Sequence, residues 1–158
     1  MKTLYLILVI VCCISLTATA QVAPRWVTAS GSTGDDTGQA IALDSAGNSY
    51  VVGTFTDDIT FGSTTLKSNG SSDIFITKYK NDGSILWAKS FGGSAEDIGY
   101  SIACDAGGTV IFTGSFMSTA YYAKDSLKSI GGTDVVVGKL STDGAFLWMQ
   151  RFGSTTDD

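Results

Sequence analysis

Histidine is absent from the sequence, and a single proline occurs among its 158 residues. Without histidine the chain cannot form a Ser-His-Asp triad, a Cys-His dyad or a histidine metal site. Charged residues are also scarce, at 16% against roughly 25% in a typical domain. The ten lysines and arginines are outnumbered by 15 acidic residues, which argues against nucleic-acid binding. We therefore expect no nucleic-acid partner, and the sequence suggests no catalytic group, cofactor or metal site.

The first 20 residues have the layout of a secretory signal peptide. Lys2 supplies a positive start, Leu4 to Leu16 form an apolar run, and Ala18-Thr19-Ala20 present small residues for a signal peptidase. The alternative is a membrane-anchoring helix, but the run is shorter than the ~20 residues needed to span a bilayer. We therefore predict cleavage after Ala20, a secreted or cell-surface location, and no membrane-spanning segment in the mature chain.

The cysteines add little to this interpretation. A lipoprotein signal needs a small residue before its cysteine, whereas Cys12 follows Val11 and Cys13 follows another cysteine. Removal of the signal leaves Cys104, which cannot form an internal disulfide and could be reactive or pair between chains. Because Cys104 stands in the apolar run 101–104, we interpret it as a small buried hydrophobic residue.

The rest of the chain repeats itself at an offset of 61 residues without a gap. Three residues each occur three times at this spacing. They are a tryptophan (Trp26, Trp87, Trp148), a glycine (Gly31, Gly92, Gly153) and an aspartate (Asp36, Asp97, Asp158). A fixed period of this size indicates a solenoid, a propeller or another repeat array.

Each copy of the repeat contains four short apolar segments separated by turn residues. The first copy predicts strands at 39–44, 49–55, 73–80 and 85–91, with a small hairpin around Gly62-Ser63. Four antiparallel strands are the content of a propeller blade, whereas a sandwich needs no gapless repeat and a β-solenoid usually has shorter coils. We predict an all-β fold of two four-stranded antiparallel β-propeller blades plus a stray closing strand, part of a larger propeller.

The repeated residues also carry a family resemblance. The stretch GQAIALDSAGNSYVVGTF and the later SSDIFITKYKNDGSILWAKSFGG resemble the SBBP repeat, the beta-propeller repeat of bacterial secreted proteins. The positions that match its pattern are Gly38, Ile41, Ala42, Asp44, Gly47, Asn48, Tyr50, Gly53, Asp73, Phe75, Lys78, Gly83, Trp87 and Gly92. The second copy departs from it at Thr109, Ile111 and Val136. The resemblance covers residues 26–158 and implies the fold, but it implies no shared chemistry.

The repeat phases divide the chain into segments. We predict a signal peptide at 1–20, a closing-type strand and linker at 21–38, a first blade at 39–91 and a second at 92–152. Residues 153–158 then begin a truncated third repeat. Because propellers typically have about 4–8 blades, we expect the sequence to be a fragment whose partners include the remaining blades of the same chain.

Acidic pairs precede the first strand of each copy, at Asp35-Asp36, Glu96-Asp97 and Asp157-Asp158. They could form a ring on one rim that holds a cation or a polar ligand. We favour a structural role, in which one carboxylate of each pair accepts backbone N–H groups between blades.

Three other motifs have a functional and a structural interpretation. The segments 44–48 and 105–108 resemble calcium loops but lack the alternating carboxylates and the distal glutamate, so we interpret them as turns. The repeated tryptophans could stack on sugars, but at a fixed position within an apolar strand they favour core packing. Asn69-Gly70-Ser71 is a glycosylation sequon.

Two functions fit the sequence. The first is an exported or cell-surface propeller module with a non-enzymatic binding, scaffold or adhesion role, and the alternative is a piece of an exported propeller enzyme, for example a carbohydrate-active one. The copies differ most at 56–65 against 117–126. We therefore predict a binding edge for a protein or glycan ligand there, and its residues are Asp57, Asp58, Tyr121 and Tyr122.

Overall fold

A computed structural model describes residues 25–158, all of which lie in strands, turns or irregular segments. The predicted signal peptide, with Cys12 and Cys13, lies outside the described residues. Within residues 25–158, no helix is long and apolar enough to cross a membrane. The strands are β1 (Asp36–Leu43), β2 (Ser49–Phe55), β3 (Ile59–Phe61), β4 (Thr64–Leu66), β5 (Asp73–Tyr79), β6 (Ile85–Gly93), β7 (Asp97–Cys104), β8 (Val110–Tyr122), β9 (Asp125–Leu140) and β10 (Phe146–Phe152).

Eight of these strands form the two predicted antiparallel blades. Blade 1 has the order β1-β2-β5-β6, and blade 2 has the order β7-β8-β9-β10. Their central strands are rich in β-branched and aromatic residues, which favour pleated sheets. The tight turns within the blades place Gly47 and Gly83 in the left-handed region, with φ of 78° and 87°, which glycine adopts at little cost. The all-β, four-stranded blade fold is therefore confirmed.

The two blades share even their irregularities. A β-bulge interrupts the pairing of the first strand at Gly38/Ala40 in blade 1 and at Gly99/Ser101 in blade 2. A second bulge, in the fourth strand, directs Leu86 and its counterpart Leu147 towards solvent. A bulge re-aims the side chains around it, and with this bulge the neighbouring tryptophan pairs with the same lysine position in both blades, Trp87 with Lys78 and Trp148 with Lys139.

The small hairpin predicted around Gly62-Ser63 is confirmed as β3 and β4. In blade 2 the same segment is continuous with β8 and β9, which pair as far as Tyr122 and Asp125. The backbone is nevertheless alike at equivalent positions, because Asp57 and Ser118 have φ of 55° and 59°. We call these two insertions the hairpin of blade 1 (residues 57–66) and the hairpin of blade 2 (residues 118–127).

The blades pack face to face around one apolar core. The forward face of blade 1 is formed by Tyr50, Val52, Ile74, Ile76 and Phe91. The rear face of blade 2 is formed by Ile102, Phe112, Phe116, Val136 and Leu140. All ten side chains are buried, so each face is shielded from water mainly by the other, and this burial favours the blade junction.

The predicted closing strand is not a strand in this structure. Residues 26–35 form no ladder, and the first strand begins at Asp36. The equivalent segment of blade 1, β6, is a strand because it pairs with β5 of the same blade. The described residues contain no third strand of a preceding blade, and residues 26–35 are held mainly by side-chain contacts, with one backbone hydrogen bond from the Thr56 N–H to the Asp35 carbonyl.

Candidate functional site

The best-defined polar feature of the molecule is the contact between the fourth strand of one blade and a turn of the next. The indole Nε1 of Trp87 donates a hydrogen bond to the carbonyl oxygen of Thr142 at 3.1 Å, and Lys78 Nζ donates to the same oxygen at 3.2 Å. The ring lies on Gly144, where a Cβ atom would stand 2.8 Å from Trp87 Cδ2. The turn glycine is therefore needed both for its positive φ of 81° and to make room for the indole.

The same contact occurs one repeat earlier. Trp26 Nε1 donates to the carbonyl oxygen of Asn81 at 3.1 Å, and its ring lies over Gly83 and stacks on Tyr79 with a centroid distance of 6.0 Å. Both rings are half-buried and pack against the edges of the apolar clusters, in agreement with the core-packing interpretation of these two tryptophans. Trp148, the third member of the series, is 40% exposed.

The segment 44–48 is a turn, as predicted. Asp44 Oδ1 accepts backbone N–H bonds from Ala46 and Asn48, while Oδ2 accepts from the Asn48 amide and from the hydroxyl of Tyr50. Burial pushes the pKa of Asp44 up, but these four donors outweigh it and hold the pKa below its usual value. The Tyr50 hydroxyl also lies 3.2 Å from the carbonyl oxygen of Gly108 in blade 2, so this turn belongs to the blade junction.

The second residue of each acidic pair has the predicted structural role. Asp36, Asp97 and Asp158 accept the backbone N–H of the residue four positions earlier, at 2.5, 2.7 and 2.6 Å. Asp97 is fully buried. Burial raises the pKa of Asp97 to about 7, and the nearby charge of Asp73 adds to the shift against the lowering effect of two backbone donors.

A second buried carboxylate in each blade was missed by sequence reasoning. These carboxylates are Asp73, the first residue of β5, and Asp134, its equivalent within β9. Both are fully buried, and they accept the backbone N–H of Asn69 and Ile130. A Cβ atom at Gly92 would overlap Asp73 Oδ1. The repeated Asp and Gly at 73/92 and 134/153 were a visible signal, but sequence alone does not show that they touch.

The first residue of the acidic pairs lies in a different environment. Asp35 and Glu96 line one polar pocket of about 290 Å³ between the blades, together with hydroxyl groups of Thr37, Thr56, Ser71 and Ser72. Within residues 25–158 no group of three or more acidic or cysteine side chains could hold a metal ion. The lining of the pocket offers two carboxylates and several hydroxyls as hydrogen-bonding groups.

The four predicted binding-edge residues lie on the two hairpins, one pair on each. Asp57 and Asp58 are exposed, and Asp57 Oδ2 accepts a hydrogen bond from the Thr33 hydroxyl at 3.1 Å. Tyr121 is 58% exposed. Tyr122 is half-buried, because its ring packs against Phe91 and Phe146 with centroid distances of 6.1 and 5.3 Å. Three of the four are thus available to a ligand, while Tyr122 anchors its hairpin.

An apolar groove of about 380 Å³ lies beside the tip of the blade 2 hairpin. Its walls come from both blades and include Leu66, Ala88, Lys89, Ala123 and Phe146. Sequence reasoning missed this groove because its walls come from segments that are far apart along the chain. Cys104 packs elsewhere, half-buried against the apolar core, and burial raises the pKa of its thiol.

Comparison with known proteins supports the architecture. The family profile described as the SBBP beta-propeller repeat matches residues 25–54. An uncharacterized WD repeat-containing protein of Acanthamoeba polyphaga mimivirus is 28% identical over 123 residues, which cover 66% of this chain and 9% of that protein. WD repeats are themselves repeats of propeller blades. The chain spans only that small share of its viral relative. The paired blades and the match over residues 25–54 show that the chain is built of β-propeller repeats similar to the SBBP repeat.

Proposed function

We propose that this protein is an exported or cell-surface β-propeller repeat module with a non-enzymatic binding, scaffold or adhesion role. Its ligand, a protein or a glycan, is bound at the hairpins of blades 1 and 2. The observation that carries this proposal is that the two hairpins turn at the same backbone positions while their exposed side chains differ.

The backbone of the two hairpins is alike at the positions that determine its path. Asp57 and Ser118 both have positive φ, and so do Gly62 and Ala123, with φ of 60° and 50°. A non-glycine residue at positive φ is uncommon and strained. Two such residues at repeat positions therefore mean that the hairpin shape is kept although its sequence is not.

The exposed side chains of the hairpins differ in chemistry. The hairpin of blade 1 begins with the carboxylates of Asp57 and Asp58, which accept hydrogen bonds from ligand N–H and O–H groups. The hairpin of blade 2 presents Tyr121, whose ring offers an apolar surface with a polar hydroxyl at its edge. Loops that vary on a constant scaffold are where binding functions concentrate.

The remaining parts of the proposal rest on sequence. The layout of residues 1–20 supports export, and the resemblance of the repeat to that of bacterial secreted proteins agrees with it. A ligand held by the hairpins can make further contacts in the polar pocket of Asp35 and Glu96 and in the apolar groove beside Ala123.

The experiment compares hairpin variants with matched variants elsewhere. Purified protein is screened on glycan and extracellular-protein arrays, and hits are measured by surface plasmon resonance with Tyr121→Ala and Tyr100→Ala. Tyr100 is the control because it is similarly exposed, at 52% against 58%, but lies on β7. For the acidic pair, Asp57→Ala/Asp58→Ala is compared with Asp143→Ala, an exposed carboxylate in the β9–β10 turn.

We expect a loss of at least about tenfold in affinity for one or both hairpin variants, equivalent to ~1.4 kcal/mol, and wild-type affinity for the controls. The proposal fails if no array component binds, if the hairpin variants bind as the wild type does, or if the controls lose as much affinity.

A further inference from the structure

The last strand of blade 1, β6, has a free edge that lies in the apolar groove between the two blades. β6 pairs with β5 along one side, and along its other side only residues 92–93 are paired, with residues 120–121 of β8. Three consecutive residues of β6, at 88–90, line the groove. Because consecutive side chains of a strand point to opposite faces, three in a row line one groove only where it follows the edge of the strand.

The backbone at this edge has hydrogen-bonding groups without a strand partner among the described residues. In an antiparallel ladder, alternate residues exchange both hydrogen bonds with the neighbouring strand, and the residues between them direct N–H and C=O away from it. At least one of residues 88–90 therefore directs both groups away from β5 and into the groove. The pairing of residues 92–93 with β8 shows that the same edge accepts a strand.

The groove has a wall on each face of β6. Ala88 packs in the apolar cluster of blade 1 that includes Leu66, the last residue of that blade's hairpin. On the opposite face, Lys89 lies beside a turn of blade 2, where its Cε would stand 3.1 Å from a Cβ atom on Gly144. This second wall continues through residues 145–146. An added strand, whose side chains alternate between two faces, would contact both walls.

The chemistry of the groove is specific to this junction and does not follow the repeat. The counterpart of Lys89 in blade 2 is Gln150, and the counterpart of Ala145 in blade 1 is Ser84. Ala123, at the tip of the hairpin of blade 2, has a φ of 50° where blade 1 has glycine. Non-glycine residues held in this conformation are strained and cluster at functional sites. The groove therefore departs from the repeat in having more apolar walls and a cation.

Lys89 gives the groove a positive charge that no carboxylate pairs with among residues 25–158. The two ion pairs there involve other side chains. Asp143 lies near enough for its pKa to be lowered by the Ser141 hydroxyl and, more weakly, by the Lys89 charge, but the two side chains form no ion pair. A carboxylate brought to Lys89 by a ligand would form a charge-assisted hydrogen bond, which is stronger than a neutral one.

We propose that the free edge of β6 binds an extended peptide segment of another protein, which adds to blade 1 as an outer strand. An acidic side chain of the peptide pairs with Lys89, and apolar side chains on its other face pack on Ala88 and the cluster around it. Main-chain hydrogen bonds supply affinity and the two walls supply specificity, as in strand addition generally. This site goes beyond the proposed hairpin surface, because Asp57, Asp58 and Tyr121 do not line the groove.

Isothermal titration calorimetry with the peptide acetyl-Thr-Val-Glu-Val-Thr-amide tests the proposal on the wild type and three variants. We expect Lys89→Glu to weaken binding at least tenfold, and to bind a version of the peptide with lysine in place of glutamate more tightly than the wild type does. Lys89→Gln removes the charge without reversing it and should show a smaller loss. Lys128→Glu makes the same change of charge at an exposed lysine outside the groove and should bind as the wild type does.

N-methylated peptides test whether the contact is a strand pairing. Only alternate amides of an added strand face β6, so methylation of both valine nitrogens and methylation of the glutamate nitrogen should give affinities that differ at least tenfold. NMR spectra of the isotope-labelled protein locate the contact, and the largest shift changes are expected at residues 88–90. Tyr121→Ala should bind the peptide as the wild type does, which separates this site from the hairpin surface.

The proposal is overturned if the glutamate peptide shows no binding at ~1 mM, if Lys89→Glu binds it as the wild type does, or if Lys128→Glu loses as much affinity. The strand geometry is contradicted if the two N-methylated peptides bind equally, or if the NMR shift changes leave out residues 88–90.

Discussion

Truncation of Phe91 measures what the blade junction contributes to stability. The Phe91 ring is fully buried and lies edge-on to Phe116 at a centroid distance of 5.6 Å. Truncating a buried phenylalanine to alanine costs about 3–5 kcal/mol, because apolar contacts are lost and a cavity remains. We therefore expect Phe91→Ala to lower the free energy of unfolding by about 3–5 kcal/mol.

The repeat supplies a matched control for this measurement. Phe152 is the same residue type at the same strand position but is 54% exposed. Exposed substitutions usually change stability by about 0.5 kcal/mol or less, so Phe152→Ala should be nearly neutral. The difference between the two variants isolates the contribution of burial in the junction.

Urea unfolding followed by tryptophan fluorescence gives both free energies, provided that the m-values of the variants agree. The measurement is made at a concentration where sedimentation velocity shows a monomer. Equal losses for the two variants would refute the reasoning, because they would mean that blade 2 does not shield Phe91 in solution. A loss below about 1 kcal/mol for Phe91→Ala, far under the usual cost, would refute it as well.

Three further predictions concern the buried polar groups. Gly92→Ala should lower the free energy of unfolding by about 1–3 kcal/mol, as overpacking does, because the new methyl group overlaps the Asp73 carboxylate; a shift in the urea midpoint measures it. The pKa of Asp97 is raised to about 7 from an unfolded value near 3.8, so its stabilising effect is complete below pH ~4 and is lost as the pH rises to ~7. Thermal melts should show lower stability at pH 8 than at pH 5, and Asp97→Asn should flatten that dependence; a steeper profile in the variant would contradict the assignment. Tyr50→Phe should cost about 1–2 kcal/mol in a thermal melt, because the hydroxyl that bonds Asp44 and lies against the Gly108 carbonyl is lost from the blade junction, and an unchanged melting temperature would contradict this.

Much of the fold could be predicted from the sequence because the repeat shows each element twice. The hairpin at Gly62-Ser63 was recognisable from its turn residues, and the tryptophan positions from their fixed phase. The matching hairpin tip at Ala123 was less visible, because alanine gives no sign of its positive φ. The pairing of β8 with β9 determines the backbone conformation at Ala123, and the local sequence preference does not.

The functional surfaces were harder to predict. The contact of Asp73 with Gly92 and the shared acceptor at Thr142 join residues that are distant in sequence, and their burial depends on how the blades pack. The local sequence also could not show whether the strand expected within 21–38 would form, because a strand exists only when it has a partner to pair with. Trp26 makes the side-chain contact expected from its position in the repeat, but its segment does not form a strand.

The acceptor in the blade junction is a main-chain oxygen, and this has an evolutionary consequence. Lys78 and Trp87 contact the carbonyl of Thr142, so this contact does not depend on the side chain there, which one repeat earlier is asparagine. The side chains themselves have a separate role, because Thr142 and Asn81 each donate to a carbonyl of another turn of the same blade, at Gly107 and Ala46. Blades that contact only their neighbours through such a group need no matched pair of side chains. Units of this kind can be duplicated, deleted or exchanged within a gene, and each new neighbour presents the same carbonyl.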